Sequence, residues 1–322
     1  MSAGAETAAT LPSLEAIDAA SERIARHIRR TPLRHAPGLS RRAGREVWIK
    51  MENLQRTGSF KFRGALNALL SEPARVGPVG AASAGNHAFA LAEAARVAGR
   101  PAVLFVPRDA PRAKIEGVRS AGGEVRLVDG GYDEAEDAAA LWAADTGADL
   151  VHAFDDARVV AGQGTLGREI MRQHAGVRSI VAPVGGGGLL AGVHAAVAAS
   201  GVAVLGAQGD RTRAVHDALA AGALVETPLE HTLMDGLAGR TTRGALERLA
   251  ATGARVELVP ESEVAEAVRA LHALGVRAEG SGAVALAALL ARILEPPGPV
   301  VAIVSGGNID DATLDGVLAG DA

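Results

Sequence analysis

Three short segments of this 322-residue chain place small, polar or flexible residues where strands give way to helices. They are SAGNH (Ser83 to His87), GGGG (Gly185 to Gly188) and SGGN (Ser305 to Asn308). Four consecutive glycines let the backbone curl until several N–H groups converge, and a helix starting there aims its positive end at the same point. Such a turn suits a phosphate; the plainer alternative is a tight turn that needs glycine's φ values. No G-x-G-x-x-G opens a first βαβ unit and no G-x-x-x-x-G-K-[ST] is present, so the phosphate belongs to something other than NAD or ATP.

Lys61 is the next candidate, in RTGSFKFRGA (Arg56 to Ala65) between Phe60 and Phe62. Among apolar groups an ammonium is disfavoured, which frees an amine able to form a Schiff base. The plainer alternative is a solvated lysine with its stem laid on apolar surface. Ser305 ends the apolar run VVAIV (Val300 to Val304) and reads equally well as a turn former. Asn86 and His87 read equally well as a helix start bonded to its own backbone. No histidine pair has metal-ligand spacing, and no Ser-His-Asp order is legible.

The elements that must position these residues alternate between β-branched runs and Ala- and Leu-rich helical stretches. Strands are predicted at 47–50, 79–82, 102–106, 125–128, 150–154, 179–184, 202–207, 256–259 and 300–304. Helices are predicted at 60–70, 87–97, 111–121, 133–146, 164–174, 189–199, 262–274 and 282–294. This alternation implies right-handed βαβ units around largely parallel sheets, too many strands for one small sheet and well suited to two αβ lobes. Ligands in such sheets bind beyond the carboxyl ends of the strands, where the three segments fall.

Composition narrows the function. With 33 basic and 37 acidic residues the formal net charge is -4, and Phe, Trp and Tyr number 5, 2 and 1, so neither phosphate attraction nor base stacking favours nucleic acid. The absence of cysteine excludes disulfides, thiolate metal sites and cysteine nucleophiles. Residues 1–13 lack a basic start and an apolar run, which reads as a short frayed terminus rather than a secretory signal. No stretch is apolar for long enough to span a bilayer; Ala182 to Ala199 comes nearest but holds Gly185 to Gly188 and His194. The expectation is a cytoplasmic protein without membrane or nucleic-acid partners.

Taken together and in this order, the pieces resemble the fold-type II pyridoxal-phosphate enzymes, and within them the serine/threonine dehydratase branch. The resemblance runs from about Ile17 to Asp310. It is carried by RTPL (Arg30 to Leu33), KMENLQRTGSFKFRGA (Lys50 to Ala65), SAGNHA (Ser83 to Ala88), AGQGTLGREI (Ala161 to Ile170), GGGGLL (Gly185 to Leu190), DGLA (Asp235 to Ala238) and SGGNID (Ser305 to Asp310). It implies an α/β fold like that of the tryptophan synthase β chain, two αβα lobes with mostly parallel sheets. Residues 1–77 and 155–322 would form the large cofactor-binding domain, residues 78–154 a small mobile domain, with no C-terminal regulatory domain.

Residue by residue, the resemblance makes Lys61 the lysine that holds pyridoxal 5'-phosphate and Gly185, Gly186, Gly187 and Gly188 its phosphate cradle. Asn86 would bond the ring hydroxyl and Ser305 face the pyridine nitrogen. Ser83, Ala84, Gly85, Asn86 and His87 would hold the carboxylate of a small amino-acid substrate. Phe60, Gly236 and Glu279 (in AEGSGA) are further candidates. The implied reaction removes water and then ammonia from L-threonine or L-serine, with Lys61 as base. Alternatives are a lyase for 3-hydroxyaspartate or a hydroxyectoine-derived substrate, a β-replacement enzyme of the cysteine synthase type, and a cofactor-binding protein without turnover. Ala84 stands where serine racemases carry a second serine, so racemisation is expected to be poor. Gln208 stands where relatives carry a cation-binding glutamate, leaving any metal requirement open. Relatives are dimers or tetramers, and a homo-oligomer is expected.

Overall fold

The computed structural model describes residues 10–228 and 230–321. Ten strands make two sheets. They are β1 (Leu33–His35), β2 (Val47–Met51), β3 (Val79–Ala82), β4 (Ala102–Pro107), β5 (Glu124–Val128), β6 (Asp149–Leu150), β7 (Ser179–Pro183), β8 (Ala203–Gly209), β9 (Val256–Val259) and β10 (Val300–Val304). One sheet has the order β1-β2-β10-β7-β8-β9, the other β5-β4-β3-β6. Every pairing is parallel except β1 with β2. Val300 to Val304 and Ser179 to Pro183 are buried throughout, as continuous apolar runs must be when helices cover both faces of a parallel sheet.

Helix packing fixes where the lysine goes. The helix Gly280–Leu290 is apolar on every side and lies buried against the larger sheet. The helix Ala157–Gln173 packs between the helices Lys61–Leu70 and Gly188–Val197. Its glycines permit that approach: a Cβ on Gly162 would sit 2.6 Å from the Arg63 carbonyl oxygen, and one on Gly164 2.9 Å from that of Gly192. The AGQGTLG run therefore seats the lysine helix and the helix after the glycine cradle against one another.

Beneath the lysine helix lies a buried ionic cluster. Arg63 donates to both oxygens of Glu52 at 2.8 Å and to Glu169 at 3.1 Å, while Lys50 bonds Glu169 and the Thr31 carbonyl. Both Glu52 and Arg63 are fully buried, so each charge depends on the others.

The structure departs from the sequence expectations at several elements. The strand expected at 150–154 is only Asp149–Leu150, because the amides of Phe154 and Asp155 turn to the His152 ring instead of a neighbouring strand. The helix expected from Gly164 begins at Ala157, capped by the Asp156 carboxylate at 2.8 Å from the Arg158 amide. Helices at Leu14–Ile24, Pro37–Ala43, Ala214–Ala221, Arg243–Thr252 and Asp311–Ala319 and the antiparallel β1 have no counterpart among the expected elements. Of the expected frayed terminus, residues 1–9 lie outside the described residues, and Ser13 caps the helix Leu14–Ile24. No helix of the described residues is long and apolar enough to cross a membrane.

Candidate active site

The lysine and the SGGN turn are stitched together by backbone. Phe60 N–H donates to the Ser305 carbonyl at 3.0 Å, and Gly307 N–H to that of Gly58 at 3.0 Å. Lys61, first residue of its helix, is half-buried and donates from Nζ to the Ala153 carbonyl at 3.0 Å, with Nζ 5.4 Å from the centre of the Phe60 ring. Burial pulls its pKa down to about 8. At pH 7 roughly a tenth of it is then free amine. The chain has three lysines. Lys50 is paired with Glu169 and Lys114 with Asp235, which leaves Lys61 as the lysine with no carboxylate partner among the described residues.

The four glycines end β7 and start the helix Gly188–Val197. Among the described residues, the amides of Gly185, Gly186 and Gly187 donate to no protein acceptor. The turn admits no side chains. A Cβ on Gly186 would lie 2.3 Å from the Phe154 ring, one on Gly188 3.0 Å from the Phe154 backbone, and one on Gly187, whose φ is +93°, 2.3 Å from Leu249. Free amides at a helix start, walled so closely, fit the phosphate of pyridoxal phosphate. The segment holding Gly236 packs on the cradle, with Leu237 Cα 3.3 Å from the Gly185 Cβ position. Asp235 beside it meets Lys114 of the helix Arg112–Ser120, bridging the two sheets' halves of the molecule.

Asn86 and Ser305 flank the opening on the other side. Asn86 Nδ2 donates to Glu279 at 2.6 Å, and its Oδ1 accepts from Asn308 at 2.7 Å. The amide is thus oriented by two protein groups. Burial, with the charge of Asp235 adding, pushes the Glu279 carboxyl up to about 7. Ser305 is buried at the end of β10, and its hydroxyl reaches only the Ser281 carbonyl at 3.4 Å. No acidic side chain is bonded to Ser305 among the described residues.

The SAGNH loop offers free donors at a helix start. Gly85 N–H is taken by the Ser83 hydroxyl at 3.2 Å, whereas the Ala84 amide has no acceptor among the described residues. Asn86 and His87 open the helix Asn86–Ala98, where first-turn amides lack intrahelical partners. That cluster suits a carboxylate. His87 is buried with Nε2 2.8 Å from the Val151 carbonyl, and burial and the Lys61 charge hold its pKa down to about 3. It is a neutral ring donating from Nε2, so it ties the loop to Val151 and carries no charge.

A chain of direct contacts therefore links Lys61, Phe60, Asn86, Glu279, Ser305, the glycine cradle, Gly236 and the Ser83 to His87 loop. Sequence reasoning missed Ala153, Phe154 and Lys114, which touch these residues from segments without a chemical signature, and it gave Asn308 and Asp235 no role although they lie in the SGGN and DGLA segments. No group of three His, Asp or Glu that could hold a metal occurs among the described residues. Gln208 is buried and accepts from the His216 amide at 2.8 Å.

Comparison with known proteins agrees with this geometry. Residues 24–306 match the family model described as pyridoxal-phosphate dependent enzyme. The chain is 40% identical to an L-threonine ammonia-lyase of Geobacter sulfurreducens over 94% of its length and 77% of the relative's. Among solved structures it resembles maize serine racemase, with TM-score 0.89, 31% identity and coverage of 97% of this chain and 98% of that one. It also resembles the processed form of threonine deaminase isoform 2 from Solanum lycopersicum, with TM-score 0.87, 30% identity and coverage of 98% and 92%. The two-sheet fold and the lysine–glycine site define a fold-type II cofactor enzyme. The chain belongs to the pyridoxal-phosphate dependent enzyme family, and pyridoxal phosphate is its cofactor.

Proposed function

We propose that the protein is a lyase that converts L-threonine or L-serine to a 2-oxo acid and ammonia. One observation carries the reading: Lys61, half-buried and bonded to the Ala153 carbonyl, is stitched through Phe60 to Ser305, which no acidic side chain meets among the described residues. The relatives named as threonine ammonia-lyase and threonine deaminase support it.

When bound, pyridoxal phosphate withdraws the electrons left at the substrate Cα. The protein supplies the rest. Gly185 to Gly188 would hold the phosphate, Asn86, fixed by Glu279 and Asn308, would meet the ring hydroxyl, and the loop from Ser83 to His87 would hold the substrate carboxylate. Lys61 Nζ, free as an amine to a useful extent near neutrality, takes the Cα proton. Ser305 Oγ has no acidic proton to give the ring nitrogen, which moderates electron withdrawal and favours prompt loss of the β-hydroxyl. Ala84 has no exchangeable proton, so racemisation would be slow.

In this reading residues 78–154 form a small lobe that moves against a large lobe made of residues 1–77 and 155–322, and Lys114–Asp235 closes the gap between them. The enzyme works in the cytoplasm as a homodimer or homotetramer. Release of 2-oxo acid from L-threonine, L-serine and 3-hydroxyaspartate tests the activity. Turnover of threonine or serine is expected; preference for 3-hydroxyaspartate, or turnover of none, overturns the assignment.

A further inference from the structure

The segment Val151–Asp155 has a role that the glycine and lysine motifs do not account for. It leaves the short β6, and residue after residue touches the site. The Val151 carbonyl takes His87, the Ala153 carbonyl takes Lys61, and Phe154 closes on the Gly186 and Gly188 positions. At its far end the Asp155 carboxylate accepts from Arg248 at 2.9 Å and from Thr242. Beyond β6, the amides of Phe154 and Asp155 have one acceptor, Nδ1 of His152, at 3.3 and 3.0 Å.

We propose that His152 is a positioning residue whose bare Nδ1 holds this turn, and with it the Ala153 carbonyl against Lys61 and Phe154 against the phosphate cradle. A ring nitrogen that accepts two N–H groups carries no proton, so the proton sits on Nε2. Nε2 lies 3.1 Å from a Glu136 oxygen on the helix Tyr132–Thr146, which selects that tautomer. The Phe154 ring stands edge-on to the imidazole, centres 4.5 Å apart at 89°, so the ring that walls the cradle packs on the group that holds its own amide. The titratable groups facing His152 are Glu136 on that helix, His87 on the SAGNH loop, which Lys61 also faces, and Asp155 in its own turn. Tyr132 and Asp133 lie close to Glu136 in turn. A second proton on the ring would put an N–H where two amides already point, and the turn would open.

The proposal rests on the assignment of Lys61 and the cradle, and two variants separate its parts. In His152→Asn the side-chain oxygen stands where Nδ1 stood and the reach to Glu136 is lost. In His152→Gln the reach to Glu136 is kept and the near acceptor is lost. Hydrogen exchange at residues 153–155 in cofactor-free and cofactor-loaded protein, the visible band of the loaded enzyme, and kcat and KM are read for both. His152→Gln should exchange faster at Phe154 and Asp155, shift the band, and lose about tenfold or more in kcat with KM changed less. His152→Asn should stay within about threefold of wild type with protection retained, since one acceptor replaces another. Equal behaviour of the two variants, or unchanged exchange in His152→Gln, overturns the proposal. Should His152→Gln fail to fold, His152→Asn carries the test: protection at Phe154 and Asp155 must stay near the wild-type level, and its loss there while the helix Ala157–Gln173 stays protected refutes the proposal. Absence of any cofactor band would count against the Lys61 assignment alone, because exchange in the cofactor-free protein tests the clamp by itself.

Discussion

Gly187→Ala separates the cradle from an ordinary turn. Gly187 sits at φ +93°, and an added methyl would lie 2.3 Å from Leu249, which is 1% exposed and has little room to move. Left-handed backbone costs a residue with a Cβ roughly 1–2 kcal/mol. Overpacking a filled core costs roughly 1–3 kcal/mol more. The test takes the empty mutant's turn as free to swing away from Leu249 and bound phosphate as holding it in place, so that cofactor binding bears the cost. At about 1.4 kcal/mol per tenfold, the sum weakens cofactor binding by roughly 30-fold to over 1,000-fold. The assay is titration of cofactor-free protein with pyridoxal phosphate, followed by its visible band. Gly201→Ala is the control, with φ +72° and nothing within 4 Å of the new methyl. It should lower folding stability through the backbone term and leave cofactor affinity alone. Affinity within about threefold of wild type in Gly187→Ala would refute the cradle geometry.

Two further predictions concern buried charge. Glu279 holds its proton up to about pH 7 in the folded protein against an ordinary value of 4.5, so the folded state is penalised once the carboxyl ionises. Below pH 4.5 both states are protonated and the penalty is absent; it grows as pH rises to 7 and is then fully present. Its size is about 3 kcal/mol, from the shift at 1.36 kcal/mol per pH unit. Glu279→Gln should therefore gain stability over cofactor-free wild type at about pH 8 and not below pH 4.5, as read by urea unfolding; an equal difference at both pH values would contradict this. Glu52→Gln takes the bidentate carboxylate from the fully buried Arg63, leaves it Glu169 at 3.1 Å, and should cost about 1–3 kcal/mol by the same measurement. A loss under about 1 kcal/mol would show that the cluster beneath the lysine helix does not depend on Glu52.

The site is legible where local geometry demands particular residues. Four glycines before a helix start signal a backbone that a Cβ would block, and Phe154 and Leu249 are the groups that would block it. Phe60 and Phe62 on either side of Lys61 foreshadow its burial. What stays hidden has no local pattern. Ala153 acts through a carbonyl that every residue owns, and Phe154 looks like one more residue of a strand. The segment 150–154 reads as that strand because nothing in LVHAF shows that the His152 ring will take the amides a neighbouring strand would have taken. The helix Ala157–Gln173 reads short for a related reason. Glycine ordinarily weakens a helix, and only the two helices packed against Gly162 and Gly164 explain why it is tolerated. The helices Arg243–Thr252 and Ala214–Ala221 escape notice because neither carries a long apolar face, yet the first supplies Arg248 and Leu249 behind the cradle.

The central claim is that Lys61, rather than Lys50 or Lys114, carries the cofactor. Borohydride reduction of the loaded enzyme, followed by digestion and mass spectrometry of the three lysine-containing regions, tests it most directly. The account predicts a pyridoxyl group on the peptide holding Lys61, and loss of that mass and of the visible band in Lys61→Ala. A pyridoxyl group on Lys50 or Lys114, or a band that survives in Lys61→Ala, would contradict it.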